Sequence, residues 1–207
     1  MKKVLEIGGF ISGAILVAFG VAVIALGANG RSTVNSSLKA EQITGSPDMT
    51  PALIKVAVAE AGLKNVTLPT CSVADKAITT GSDARCFAQY MRIHALESSG
   101  GLPYSQMPRF ATADGKGTND AATALTANGQ PVANAARNTW VTETALSTAL
   151  NVSYMASQLS LFSIVVGLAL LLTGIGFLVL DYLALHVRRE KKASDAATVQ
   201  NRTPAIA

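Results

Sequence analysis

Histidine, cysteine and aromatic residues are scarce in this chain, and charge is missing altogether from two long stretches. Two Cys and two His occur among 207 residues, aromatics make up 5% and charged residues 14%. A zinc or iron-sulfur site normally takes four Cys or His ligands, and Cys71, Cys86, His94 and His186 are all that the chain offers. No metal site and no cofactor are therefore expected. The fourteen residues between the cysteines exclude a C-x-x-C dithiol, in which the neighbouring thiol and a helix N-terminus lower the attacking sulfur's pKa. What remains is a structural disulfide or two unpaired thiols, and the compartment decides between them, because disulfides persist in oxidising spaces. Basic runs interleaved with aromatics are also missing, so no nucleic-acid partner is expected.

The charge-free stretches are "IGGFISGAILVAFGVAVIALGANG", 7–30, and "LSLFSIVVGLALLLTGIGFLVL", 159–180. At about 1.5 Å per residue, some 22 residues reach roughly 33 Å, against a hydrocarbon core of about 30 Å. Transmembrane helices are expected over 7–29 and 157–182. Lys2 and Lys3 with Ala25-Leu26-Gly27 resemble a cleavable signal. The apolar run exceeds the roughly 7 to 15 residues of a signal core, so it reads as an uncleaved anchor. Lys2 and Lys3 precede the first span, and Arg188, Arg189, Lys191 and Lys192 follow the second. That bias puts both termini in the cytoplasm, as a short segment 1–6 and a basic, disordered tail 183–207. The intervening 31–156 carries ten Lys/Arg and nine Asp/Glu, a balance that raises no barrier to export. The tail would attract anionic headgroups, making the lipid bilayer the first expected partner. With 30–156 outside the cytoplasm, Cys71 and Cys86 are expected to pair, stapling a loop to a helix and contributing about 3 kcal/mol on the chain-entropy model.

Helix signals organise the segment between the spans. "MTPALIKVAVAEAG" starts with Thr50 as N-cap and Pro51 behind it and stops at Gly62. "SDARCFAQYMRIHALESSGG" starts at Ser82 and stops at Gly100, with Phe87, Met91 and Ala95 on one stripe and Arg85, Gln89 and Arg92 on another. The stretch 108–135 is dense in Gly, Asp, Asn and Thr and reads as an exposed loop. From Asn134, apolar residues recur at alternating spacings of four and three (Val141, Ala145, Thr148, Val152, Met155, Leu159), predicting one helix through the second span to about Arg189. The first span is expected to continue outward past Arg31, with Val34 and Leu38 four apart. Small residues recur at sevens in the spans: Gly13, Gly20 and Gly27 in the first, Ser160, Gly167 and Gly174 in the second. Such stripes let backbones approach closely, predicting an antiparallel helical hairpin.

Searches for chemistry return little. The spans hold no internal charge, only Glu6 and Asp181 at their rims, which speaks against a conduction path. Tyr90, His94 and Glu97 fall at spacings of four and three on one helix face, a weak candidate for ligand binding. "ADGKGTND", 113–120, departs from both the P-loop and the EF-hand spacings and reads as an exposed turn. Asn-x-Ser/Thr sequons begin at Asn35, Asn65 and Asn151.

The phrases "SPDMTPALIK", "FAQYMRIHALE", "ATADGKGTND" and "ARNTWVTETAL" with "LSLFSIVVG" resemble an uncharacterised group of two-span membrane proteins from actinobacteria. The resemblance covers most of 1–185 and implies a two-span architecture, with no activity or cofactor to transfer. Some members carry a label of aromatic ring-opening dioxygenase subunit. Non-haem iron needs two His and a carboxylate on one site, and the expected topology puts His94 and His186 on opposite sides of the membrane.

The chain is thus expected to be mostly α, a two-helix transmembrane hairpin carrying a small helical, disulfide-stapled extracytoplasmic domain. It is expected to be a non-enzymatic accessory or scaffolding subunit of the cell envelope. Its contact with a protein partner or a second copy would use Val141, Val152 and Met155. A ligand-binding or sensing domain is the alternative. The helices of Thr50 and Ser82 are expected to cover part of that stripe, with the partner covering the rest.

Overall fold

The computed structural model describes residues 2–200, with the side chains of 7–193, so those of Lys2, Lys3 and Glu6 lie outside the described set. The chain is mostly helical. Its order is α1 (Lys2–Ala40), α2 (Pro51–Glu60), α3 (Gly81–Ser98), β1 (Thr126–Ala127), β2 (Gln130–Pro131) and α4 (Ala135–Gln200), with single 3-10 turns at Tyr104–Gln106 and Ala121–Thr123. Contacts divide it into two compact units, one formed by residues up to Asn29 and from Ser160 on, the other by Gly30–Leu159.

In the first unit, α1 and α4 supply segments long and apolar enough to cross a membrane. Only 11% of each apolar window is buried within the chain, which separates these helices from the buried core helix of a soluble domain. Their small residues meet pairwise. A Cβ added at Gly13 would lie 3.0 Å from the Gly174 carbonyl oxygen, one at Gly20 2.8 Å from that of Gly167, and one at Gly27 2.7 Å from that of Ser160. Numbers rise by seven in one helix as they fall by seven in the other, so the segments run antiparallel. α4 continues to Gln200, beyond the end expected near Arg189, and corrects the disordered tail over its stretch up to that residue. "REKKASDAATVQ" lacks Gly and Pro and is rich in Ala, Lys, Arg and Glu, all good helix formers. His186 Nε2 and Glu190 Oε1 lie 3.5 Å apart across one turn.

The second unit assembles around the ends of short helices. Thr50 caps α2 by accepting from the Leu53 N–H at 3.2 Å, and Pro51 occupies the first helical position, where no N–H is needed. Gly62 and Gly100, at φ +64° and +62°, follow the last turns of α2 and α3, where a left-handed residue lets the chain fold back. Thr80, not Ser82, caps α3: its hydroxyl oxygen accepts from the Asp83 N–H at 3.2 Å while its O–H donates to Asp83 Oδ2 at 2.7 Å. A carboxylate at the third position reciprocates that cap, and Ser82 has no such partner. Asn134 caps α4, its Oδ1 accepting from the Ala136 N–H at 3.0 Å.

Residues 108–135 are more ordered than a bare loop. β1 and β2 form a two-residue hairpin about Asn128-Gly129, at φ 52° and 77°, and Phe110 bridges both Thr118 and Ala133. The Asn-Gly pair between short strands is the signal for this turn, because both positions need positive φ.

The main core gathers Leu38, Met49, Ile54, Val73, Ile78, Tyr90, Ile93 and Leu150, and a smaller one packs Ala95, Met107 and Trp140. The outward extension of α1 therefore goes inward with Leu38. α4 presents two faces: Trp140, Glu143 and Leu150 are buried, whereas Val141, Val152 and Met155 are 54%, 55% and 65% exposed. The expectation that α2 and α3 would cover this stripe is overturned. α3 packs on the opposite side of α4, through Gly81 at Ser153 and Arg92 at Trp140 and Glu143, and α2 packs on α3.

Two outcomes follow from this packing. Gly20→Leu or Gly167→Leu forces side-chain atoms into backbone and should lower the melting temperature in detergent, overpacking costing about 1–3 kcal/mol. Gly8→Leu and Gly176→Leu, where nothing lies within 4 Å of an added Cβ, should melt like the parent.

Asp83 couples stability to pH. Burial pushes its carboxyl up, but hydrogen bonds from Lys76 and Thr80 and the Lys76 charge outweigh burial and hold the group below its ordinary 3.8. The unfolded chain thus binds this proton more tightly than the folded one does. The contribution is present above about 3.8 and is lost as pH falls through the lower folded value. Melting of the parent and of Asp83→Asn between pH 7 and pH 3 should show their difference shrinking toward the acid end.

Candidate functional site

The loop ahead of α3 is held onto the helix by covalent and polar contacts together. Cys71 and Cys86 are disulfide-bonded, with Cα atoms 6.1 Å apart. One turn further along α3, the Tyr90 hydroxyl donates to the Cys71 carbonyl at 2.6 Å. Tyr90 is fully buried, and that burial raises its pKa, so the phenol stays a neutral donor. The same loop pairs with the segment before α2, through Val73 N–H to the Met49 carbonyl at 3.1 Å and Ile78 N–H to the Ile43 carbonyl at 2.9 Å. Gly81 sets the start of α3 close to α4, since a Cβ there would lie 3.0 Å from the Ser153 carbonyl oxygen.

Tyr90, His94 and Glu97 share a helix face but not a site. Tyr90 goes into the core, whereas His94 is half-buried at its edge, with Nδ1 2.9 Å from Glu97 Oε2 and Nε2 3.3 Å from Asp48 Oδ2. His94 lies between two carboxylates of its own chain, its Nδ1 hydrogen-bonded to Glu97 and its Nε2 near Asp48 without a hydrogen bond among the described residues. A groove of about 470 Å³ beside it is bordered by Met91, Ala95 and Thr142. Among the described residues, no group of three or more His, Cys, Asp and Glu is placed to hold a metal ion. His94 and His186 belong to different units.

The "ADGKGTND" turn uses its oxygens internally. Asp114 accepts from the Thr112 hydroxyl and the Lys116 N–H, contacts that lower its pKa. Asn119 Oδ1 accepts from the Arg109 N–H at 3.1 Å, and Asp120 Oδ1 from the Ala122 N–H at 2.9 Å. These carboxylates shape turns.

A larger recess of the second unit lies on the other side of α3. It holds about 670 Å³ between the turn after α2, the polar stripe of α3 and the buried-facing side of α4. Its walls carry Lys64, Asn65, Arg85, Gln89, Arg92, Glu143 and Asn151. Arg92 is fixed twice, its guanidinium 3.9 Å from the Trp140 ring centre and its Nη1 3.4 Å from Glu143 Oε2. Glu143 is 4% exposed, and its Oε1 has no hydrogen-bond partner among the described residues. Arg85 stacks over Tyr154 at 4.9 Å.

The sequence displays the Arg85, Gln89 and Arg92 stripe but not its partner surface. A charged residue at the Trp140, Glu143, Leu150 phase of α4 was the available signal for the facing wall. No protein-family model matches the chain, no curated protein is detectably similar to it, and no solved structure resembles it.

Proposed function

We propose that this chain is an integral membrane protein of the cell envelope whose two apolar segments form a transmembrane hairpin. In this reading both termini lie in the cytoplasm, and the disulfide-stapled domain stands outside it. There it works by contact rather than by chemistry, as an accessory or scaffolding member of an assembly. The observation that carries the reading is the outer face of α4, where Val141, Val152 and Met155 are 54–65% exposed. Past Leu159 the same face continues as Phe162 and Val166, which lipid would cover. Nearer the N-terminus of α4, water or another protein must cover it, and a run of aliphatic side chains on one stripe favours protein. Among the described residues nothing covers it, Leu38 of α1 being spent in the core. A protein partner is the expected occupant, with a second copy of this chain as the alternative.

Topology and contact are tested separately. Asn119→Cys should react with a membrane-impermeant maleimide in intact cells and Lys192→Cys should not, the native cysteines being joined. The reverse labelling would invert the orientation. A photo-crosslinking residue at Val152 should give a discrete larger adduct that one at Lys55 does not, and Val152→Asp with Met155→Asp should release the partner while the chain stays membrane-inserted. Extraction as a lone monomer in mild detergent, with no adduct, would remove the scaffolding reading.

A further inference from the structure

We infer that the recess between α3 and α4 is a binding site for a small organic anion, a carboxylate or a phosphate mono- or diester, that also carries hydroxyl groups. Its volume of about 670 Å³ falls in the range of small-molecule sites. Three cations, Lys64, Arg85 and Arg92, face it against one carboxylate, Glu143. They are not equivalent. Arg92 is committed to Glu143 and Trp140, which fixes the back wall. Arg85 and Lys64 have no carboxylate within ion-pair distance among the described residues.

Arg85 is held in place by an aromatic face rather than by an acid. Stacking on Tyr154 leaves the guanidinium edge and its N–H donors available. A planar fork without a counter-ion, positioned at the rim of a recess, suits bidentate capture of carboxylate or phosphate oxygens. The hydroxyl part of the assignment rests on the amide lining. Asn65, Gln89 and Asn151 can each donate and accept, which matches hydroxyls rather than an apolar tail. Glu143 adds a second sign, a buried carboxylate with one oxygen lacking a partner on the wall shared with Arg92. A ligand hydroxyl that draws this side chain slightly forward would satisfy that oxygen. The recess shares no lining residue with the outer stripe of α4, since Val141, Val152 and Met155 do not border it.

The test uses the full chain in nanodiscs at constant ionic strength, with gluconate, glycerol 3-phosphate and glycerophosphoglycerol as probes. Melting should rise saturably with at least one of them. In Arg85→Gln the apparent affinity should fall by about ten-fold or more, as for loss of a charge-assisted pair, and Arg85→Lys should recover part of it. Ser147→Phe, which fills the recess without touching a charge, should abolish the response. A response to soluble probes in discs of any lipid assigns a free metabolite. A shift seen only in phosphatidylglycerol discs, and lost in Arg85→Gln, assigns the headgroup of that lipid. No response to any probe or lipid, or a response unchanged in Arg85→Gln, overturns the site.

Discussion

The attachment of the 63–78 loop to α3 is the constraint on which the second unit depends. It has three parts within two helical turns: the Cys71–Cys86 bond, the Tyr90 hydroxyl on the Cys71 carbonyl, and Lys76 on Asp83. The first limits the unfolded chain, the second satisfies a carbonyl that burial would otherwise leave unpaired, and the third anchors the cap of the helix. Because the loop occupies one side of α3, the helix must turn its other polar stripe toward α4. The recess with Arg85 and Arg92 is a consequence of that orientation.

α4 divides its labour by face. Its buried side carries large residues at Trp140 and Leu150 with Glu143 between them, a carboxylate kept there by Arg92, which the indole face holds in turn. A buried carboxylate is costly unless compensated, so the Arg92, Trp140 and Glu143 contact is a specific arrangement rather than a filler of space. The opposite side carries smaller aliphatic residues and is left open. A helix with apolar residues on both faces is ordinary where lipid surrounds it.

In the first unit, packing is decided by what is missing. Glycine at three successive heptads, faced by Gly174, Gly167 and Ser160, brings backbone to within the distance at which a single methyl would collide with a carbonyl. In lipid, close van der Waals contact would take the place of water release as the source of attraction between segments of this composition. That is why the small residues matter more than the many leucines beside them.

Several features were legible in the residues alone because they are local. Uncharged length marks the apolar segments, Thr50-Pro51 and Gly62 bound α2, and Asn134 opens α4, since each depends on backbone groups within a few positions. The start of α3 was misread by two residues, as the choice between Thr80 and Ser82 depends on which hydroxyl Asp83 can reach. The Asn128-Gly129 turn is also local, since both of its positions need positive φ. The faces were different. The four-three stripe of α4 identified an apolar face but not whether the chain would cover it, and Tyr90 and His94 share a stripe yet end in a core and at its edge. Periodicity reports direction around one helix. Whether that direction meets a loop, a second helix or open surface is set by contacts between residues far apart in the chain, such as Arg92 with Glu143 and Cys71 with Tyr90, and only the tertiary structure decides those.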